Sequence, residues 1–257
     1  MNKVFVTTSS DLGYIEYGYS KVFIDSFLEK TPYSLVYYYD SVVPSQRPNL
    51  VIKRLAHRSI QSIQRASEDF PVLRGRIGTN YNYRFNAAGF CHKVFAQLFE
   101  ALLAFDPTTP TQLIWMDSDI EVLESMDGSA LDKLSEYDIG YLGRKGWHTC
   151  TSFISYVLND NTLQFLDRLS ALYITGEFLL YPEWNDAYLF DVVRSEWPQL
   201  NYIDLGAPYD GAGPYNVFDL VFNGWMTHRK GLRKFKESSS RVSEGKRIEV
   251  IQKKEDL

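Results

Sequence analysis

Leu113-Ile114-Trp115-Met116-Asp117-Ser118-Asp119 is the stretch on which the fold turns. Four consecutive apolar residues of this size read as a strand buried on both faces, the kind found in a parallel sheet covered by helices. The run stops abruptly on two carboxylates. Like charges this close repel, and they are costly unless a cation or several donors sit between them. Hard oxygen ligands at a strand end suit Mg²⁺ or Mn²⁺. The competing reading is a polar turn that caps the next element.

Working outward, residues 86–105 carry Cys91, Val94, Leu98, Leu102 and Phe105 at three- and four-residue steps. That spacing predicts a helix with one apolar face, ended by Pro107 and Pro110. Lys93, Gln97 and Glu100 form a polar stripe on the same helix. Val4-Phe5-Val6, running into Thr7-Thr8-Ser9-Ser10, predicts a first buried strand and a polar loop. A helix is expected over 21–29, and a strand over 34–39 closed by Asp40. Residues 50–66, with Val51, Leu55 and Ile63, are read as helical. Beyond the acidic pair, strands are expected over 139–142, 152–158 and 202–205, and helices over 161–172 and 184–194. The Gly/Pro-rich stretch 206–216 reads as a long loop.

Strands that alternate with helices imply an α/β fold with a mainly parallel, mixed and twisted central sheet. Ligands bind such sheets beyond the carboxyl ends of the strands. That rule puts Thr7, Thr8, Asp40, Asp117, Ser118 and Asp119 on one rim. With 257 residues and 45% hydrophobic content, the chain can bury one large core. Its 18 Tyr and 16 Phe supply amphipathic and apolar rings for core or cleft.

Charge is uneven. The net charge is −5, yet residues 229–257 hold ten Lys/Arg against five Asp/Glu, and residues 53–76 hold six against two. Such asymmetry marks either a polyanion-binding face or solvated helix surface. The two cysteines, Cys91 and Cys150, form no CxxC pair, which favours reduced thiols and a cytoplasmic setting. No stretch approaches the ~20 apolar residues of a membrane helix, and no signal-peptide pattern is present.

A second motif is His228-Arg229-Lys230-Gly231. An imidazole can complete a metal site. A glycine among basic residues lets backbone N–H groups and a lysine approach phosphate closely. A strand ending in D-x-D and a C-terminal H-x-K-G together resemble the GT-A superfamily of nucleotide-sugar transferases, especially family-8-like and related bacterial and phage members. The stretch Tyr83-Arg84-Phe85-Asn86-Ala87, continuing to Lys93, resembles the segment of those enzymes in which Arg and Lys face the donor. Glu183-Trp184-Asn185-Asp186 resembles their acidic segment on the acceptor side.

The resemblance implies a Rossmann-like GT-A domain over 1–236, followed by a basic tail over 237–257 that composition makes mobile. It implies Asp117, Asp119 and His228 as metal ligands, with Lys230 and Gly231 at the diphosphate. Ser118, Arg84 and Lys93 would face the nucleoside-diphosphate sugar, with Thr7, Thr8 and Asp40 near its nucleoside, uridine being the expected base. Asp186 would act near the acceptor hydroxyl, as general base in an inverting enzyme or as a positioning group in a retaining one. Two acceptors fit: hydroxymethylated bases of phage duplex DNA, or a bacterial polysaccharide or lipopolysaccharide. Either places the enzyme in a bacterial cytoplasm, its own or an infected host's.

Other classes fit less well. A haloacid-dehalogenase-type phosphatase usually has Thr or Val where Glu121 stands, and its motif comes early in the chain. A calcium loop needs Gly where Val122 stands. A non-enzymatic nucleic-acid binder would rest on the basic segments alone, without zinc spacing or an RNA-recognition signature.

Overall fold

The computed structural model describes residues 1–10, 14–15, 18–126, 128–209 and 217–229. In chain order the elements are β1 (Asn2–Thr8), α1 (Tyr19–Lys30), β2 (Leu35–Tyr39), β3 (Leu50–Arg54), α2 (Arg58–Asp69), β4 (Arg76–Ile77), β5 (Asn80–Tyr81) and α3 (Ala87–Ala104). The second half runs β6 (Thr111–Met116), β7 (Ile120–Val122), α4 (Gly128–Leu134), β8 (Ile139–Arg144), β9 (Trp147–Val157), α5 (Asp160–Thr175), α6 (Asp186–Glu196), β10 (Tyr202–Asp204), α7 (Val217–Val221) and β11 (Met226–His228).

Seven strands form one mixed sheet in the order β10-β8-β9-β6-β1-β2-β3. Neighbours pair in parallel except where β9 lies antiparallel between β6 and β8. The chain moves from β1 outward to β3, then returns to place β6 on the other side of β1. The carboxyl ends of β1 and β6 therefore flank a switch point, where a crevice opens in sheets of this kind. Thr8 ends one of these strands and Asp117 follows the other.

Side chains alternate across the sheet, and both faces are covered. Val6, Val36, Leu113 and Trp115 enter a core shared with α2, α3, α5 and α6. Phe5, Leu35, Ile114 and Met116 enter a second core shared with α1, α4 and α7. All six residues of β6 are buried, as the unbroken apolar run predicts. Each such large apolar side chain contributes roughly 1.5–3 kcal/mol of burial.

Two expectations need correction. Residues 50–66 are not one helix: Leu50–Arg54 is an edge strand paired with β2, and the helix begins at Arg58. Apolar positions at Val51 and Leu55 fit a helix period, but the β-branched Val51-Ile52 pair sits well on a sheet edge. The apolar face expected for α3 is also incomplete, since Leu102 is 57% exposed while Lys93, Gln97 and Glu100 are buried. The polar stripe points inward. Each member is satisfied there: Gln97 accepts from the Tyr156 hydroxyl at 2.9 Å, and Glu100 accepts from Tyr38 at 3.0 Å and Lys53 at 2.6 Å. Buried polar groups are tolerated on that condition.

Two close approaches fasten the far edge of the sheet. Asp204 accepts from the backbone N–H groups of Gly143 and Gly206 at 2.7 and 2.8 Å. A Cβ on Gly143 would lie 2.0 Å from that carboxylate.

Candidate active site

The acidic pair and His228 meet because two three-residue strands far apart in the chain pair with each other. β7 and β11 are antiparallel, with His228 opposite Ile120. The Arg229 N–H donates to the Asp119 carbonyl at 2.8 Å. This small ribbon delivers the His228 imidazole to Asp119, Nε2 to Oδ1, at 2.8 Å across 109 residues. Ligand atoms of Asp117, Asp119 and His228 all lie within 4.8 Å of one another. Around a small divalent ion, with bonds of about 2.1 Å, adjacent ligand atoms stand about 3 Å apart and opposite ones about 4 Å. Two carboxylates and an imidazole gathered in one cluster suit Mn²⁺ or Mg²⁺ by donor type.

Lys93 is the hub behind this cluster. Its Nζ lies 2.8 Å from Asp117 Oδ1, 2.8 Å from Asp186 Oδ2 and 2.6 Å from the Thr151 carbonyl. Burial alone would lower the lysine pKa. Attraction by Asp117 and Asp186 more than reverses this, so Lys93 is held above its ordinary value and stays charged. The Trp115 indole N–H donates to the same Asp117 oxygen at 2.9 Å. Oδ1 of Asp117 is thus occupied from behind.

Asp186 opens α6, one residue after the N-cap Asn185, whose side chain accepts from the Tyr188 N–H at 2.9 Å. The positive end of a helix favours a carboxylate there. Asp186 is 4% exposed, and its Oδ2 also accepts from Thr151 Oγ1 at 2.6 Å.

The other expected residues divide. Ser118 is buried in the turn between the two aspartates. Thr8 donates its hydroxyl to the Tyr38 carbonyl at 2.8 Å, and Thr7 is fully buried. Both belong to the end of β1, and the half-buried Asp40 follows β2 on the same rim. Arg84 stands beside Glu183 at 3.4 Å, and its carbonyl accepts from the Trp184 N–H at 2.6 Å. Lys230, Gly231 and the tail over 237–257 lie outside the described residues.

No family profile and no curated protein sequence matches the chain. Among solved structures, mouse xyloside xylosyltransferase 1 in its apo form is similar at TM-score 0.49 and 11% identity, over 89% of this chain and 97% of that one. A glycosyltransferase involved in the glycosylation of the major capsid of PBCV-1 is similar at TM-score 0.46 and 13% identity, over 98% of this chain and 100% of that one. At this distance neither likeness decides what the cleft does.

One wall of the cleft, the β8–β9 hairpin, escaped the sequence reading, which named only the Tyr83–Arg84 and Glu183–Asn185 side. A cavity of about 440 Å³ is lined by Tyr83, Arg84, Arg144, Trp147, His148 and Glu183, next to Asn185 and Ala187. The available signal was Lys145-Gly146, a two-residue turn between β8 and β9 with Gly146 at φ +73°. It fixes a hairpin whose tip carries Trp147 and His148. A larger apolar groove of about 600 Å³ lies between α2 and the end of α5 and holds none of the expected residues. No helix among the described residues is long and apolar enough to cross a membrane.

Proposed function

We propose that this chain is a divalent-metal-dependent glycosyltransferase that moves a sugar from a nucleoside-diphosphate donor to an acceptor hydroxyl. The observation that carries the reading is the convergence of Asp117, Asp119 and His228 at the switch point of the sheet. Asp117, Asp119 and His228 would hold Mn²⁺ or Mg²⁺. A bound ion there offsets the negative charge that develops on a departing nucleoside diphosphate. Lys93 and Trp115 orient Asp117 by occupying one of its oxygens, so the carboxylate need not reorganise when the site fills.

The remaining roles follow from position. Thr8 and Asp40 would border the nucleoside side of the cleft, where uridine is the base we expect, whereas Thr7, fully buried, would stand behind that rim rather than face a ligand. Ser118 shapes the turn between the two carboxylates, and Lys230 with Gly231 would meet the diphosphate. Asp186, with Oδ2 engaged by Lys93 and Thr151, is better suited to positioning the acceptor side than to taking up a proton. The catalytic unit would span 1–236, with 237–257 as a separate basic tail. Cys91 and Cys150 are buried and not joined to one another, which supports a reducing cytoplasm as the working compartment.

The test is a donor screen that reads released nucleotide with Mn²⁺, with Mg²⁺ and with EDTA. Metal-dependent release from one donor class is expected. Full activity in EDTA would end the metal reading. Calorimetry with tight UDP and weak GDP binding is expected, and the reverse would replace uridine with guanosine.

A further inference from the structure

We infer that the acceptor is a saccharide, seated in the cavity between the β8–β9 hairpin and the start of α6. This rests on the glycosyltransferase reading above and names the substrate class of that same cleft. Three observations on placement lead to it. Asp117 follows β6, which lies between β1 on one side and β9 on the other. The nucleoside rim, with Thr8 and Asp40, is on the β1–β2 side, so the β9 side is left for the acceptor. Asp117 N–H bonds the Ser152 carbonyl, and β9 begins at Trp147, so Trp147 to Thr151 overhang the end of β6. At strand rise these five residues form a wall about 16 Å long.

That wall is fastened before any ligand arrives. Thr149 donates its N–H and hydroxyl to Asp191 at 2.9 and 2.6 Å, and Thr151 donates to Asp186. Arg144 spends Nε on the His148 carbonyl and Nη2 on the Thr149 carbonyl. Asp186 and the Thr151 carbonyl both join the cavity wall to Lys93 and so to Asp117. The cavity is thereby tied to the Asp117 side of the cluster, away from β1 and β2.

The lining suits a sugar. Trp147 is 45% exposed and Tyr83 50% exposed, two large rings that line the cavity. Their faces can pack on the C–H side of a pyranose, while the indole and phenol edges still hydrogen bond. Glu183 lies 3.4 Å from Arg84, 3.5 Å from His148 and accepts from Asn185 Nδ2 at 2.9 Å. Alternating donors and acceptors around one carboxylate match the vicinal hydroxyls of a sugar ring. A volume of about 440 Å³ is in the range of small-molecule sites. Duplex DNA suits it less. Arg84 stands beside Glu183, and Arg144 donates to two backbone carbonyls, so these two cations of the described lining have partners before any phosphate arrives.

The experiment uses the full chain with its best donor and Mn²⁺. Acceptors are a panel of p-nitrophenyl hexosides, pentosides and disaccharides, and in parallel a duplex carrying hydroxymethylcytosine. At least one glycoside should accelerate nucleotide release above donor hydrolysis. Trp147→Ala and Glu183→Gln should each lower kcat/KM for that glycoside at least tenfold, mainly through KM, and lower the ratio of transfer to hydrolysis. Trp147→Tyr should recover most of the loss, which a folding defect would not do. Transfer to the duplex alone, no acceleration by any glycoside from an enzyme that hydrolyses its donor, or glycoside transfer indifferent to both substitutions would overturn the inference and leave sugar transfer standing. Absence of metal-dependent nucleotide release from every donor would instead sink the parent reading.

Discussion

Asp117 and Asp119 stand two positions apart in the chain and are held by opposite means. Asp117 is clamped from behind by an ammonium and an indole, with Lys93 bridging it to a second buried carboxylate. Asp119 has the imidazole of His228 at 2.8 Å, brought there by the β7–β11 ribbon. One carboxylate is neutralised by the fold itself. The other shares its place with a group that also ligates metals. The difference separates two kinds of dependence: the Lys93 side should govern stability, and the His228 side should govern metal affinity.

The sharpest break of this comparison is Lys93→Ala. It strands Asp117 and Asp186 without their cation, and removing one partner of a buried pair costs about 3–5 kcal/mol. Urea unfolding should show the midpoint falling accordingly. An unmoved midpoint would mean that solvent, not Lys93, balances the two carboxylates. Because Lys93 is held above its ordinary pKa, its contribution is fully present below the unfolded lysine value. It is lost only as pH rises through the still higher folded value, so stability from this source should be flat from neutral to mildly alkaline pH.

Asp119→Ala should do the converse. Sugar transfer should drop on the order of 10²–10³-fold, as loss of a charge-stabilising group does. Donor-dependent Mn²⁺ binding should vanish, while far-UV circular dichroism keeps the native spectrum. An unfolded Asp119→Ala protein would erase the distinction between the two carboxylates. His228→Gln is milder, since the amide can still hydrogen bond Asp119. Metal affinity by titration should weaken by about 10–100-fold, the scale of a perturbed ligand sphere, with metal-free stability changed by about 1 kcal/mol. Equal metal affinity in this variant would remove His228 from the site.

The smallest effect concerns Cys91. Burial pushes its thiol from 9.0 to about 12, so at pH 8 it carries almost no thiolate. Alkylation by iodoacetamide should be slow in the native protein and complete in denaturant. The group's contribution to stability should hold below pH 9 and decline between pH 9 and about 12, because only the unfolded thiol ionises freely in that window.

How much of this was legible depends on how local the signal was. β6 and its acidic end could be read from seven consecutive residues, because a buried parallel strand needs apolar side chains on both faces. The strand at Leu50–Arg54 was misread because Val51 and Leu55 satisfy a helix period, and only pairing with β2 resolves the ambiguity. The orientation of α3 was misread for a related reason. A row of Lys93, Gln97 and Glu100 is the same in sequence whether water or protein satisfies it. Tyr156, Tyr38, Lys53 and two aspartates are its partners, and all come from distant elements.

From the linear chain alone came the sheet class and the acidic rim, which depend on residue type and on periods of two to four residues, and the candidate His228, which the H-x-K-G resemblance implied. The tertiary structure decided that His228 meets Asp119, that Lys93 faces Asp117 and Asp186, and that Trp147 overhangs the cleft. Those contacts join residues 24 to 109 positions apart. No local propensity encodes such pairings; they exist because closing the sheet and packing its helices bury the surfaces that hold them.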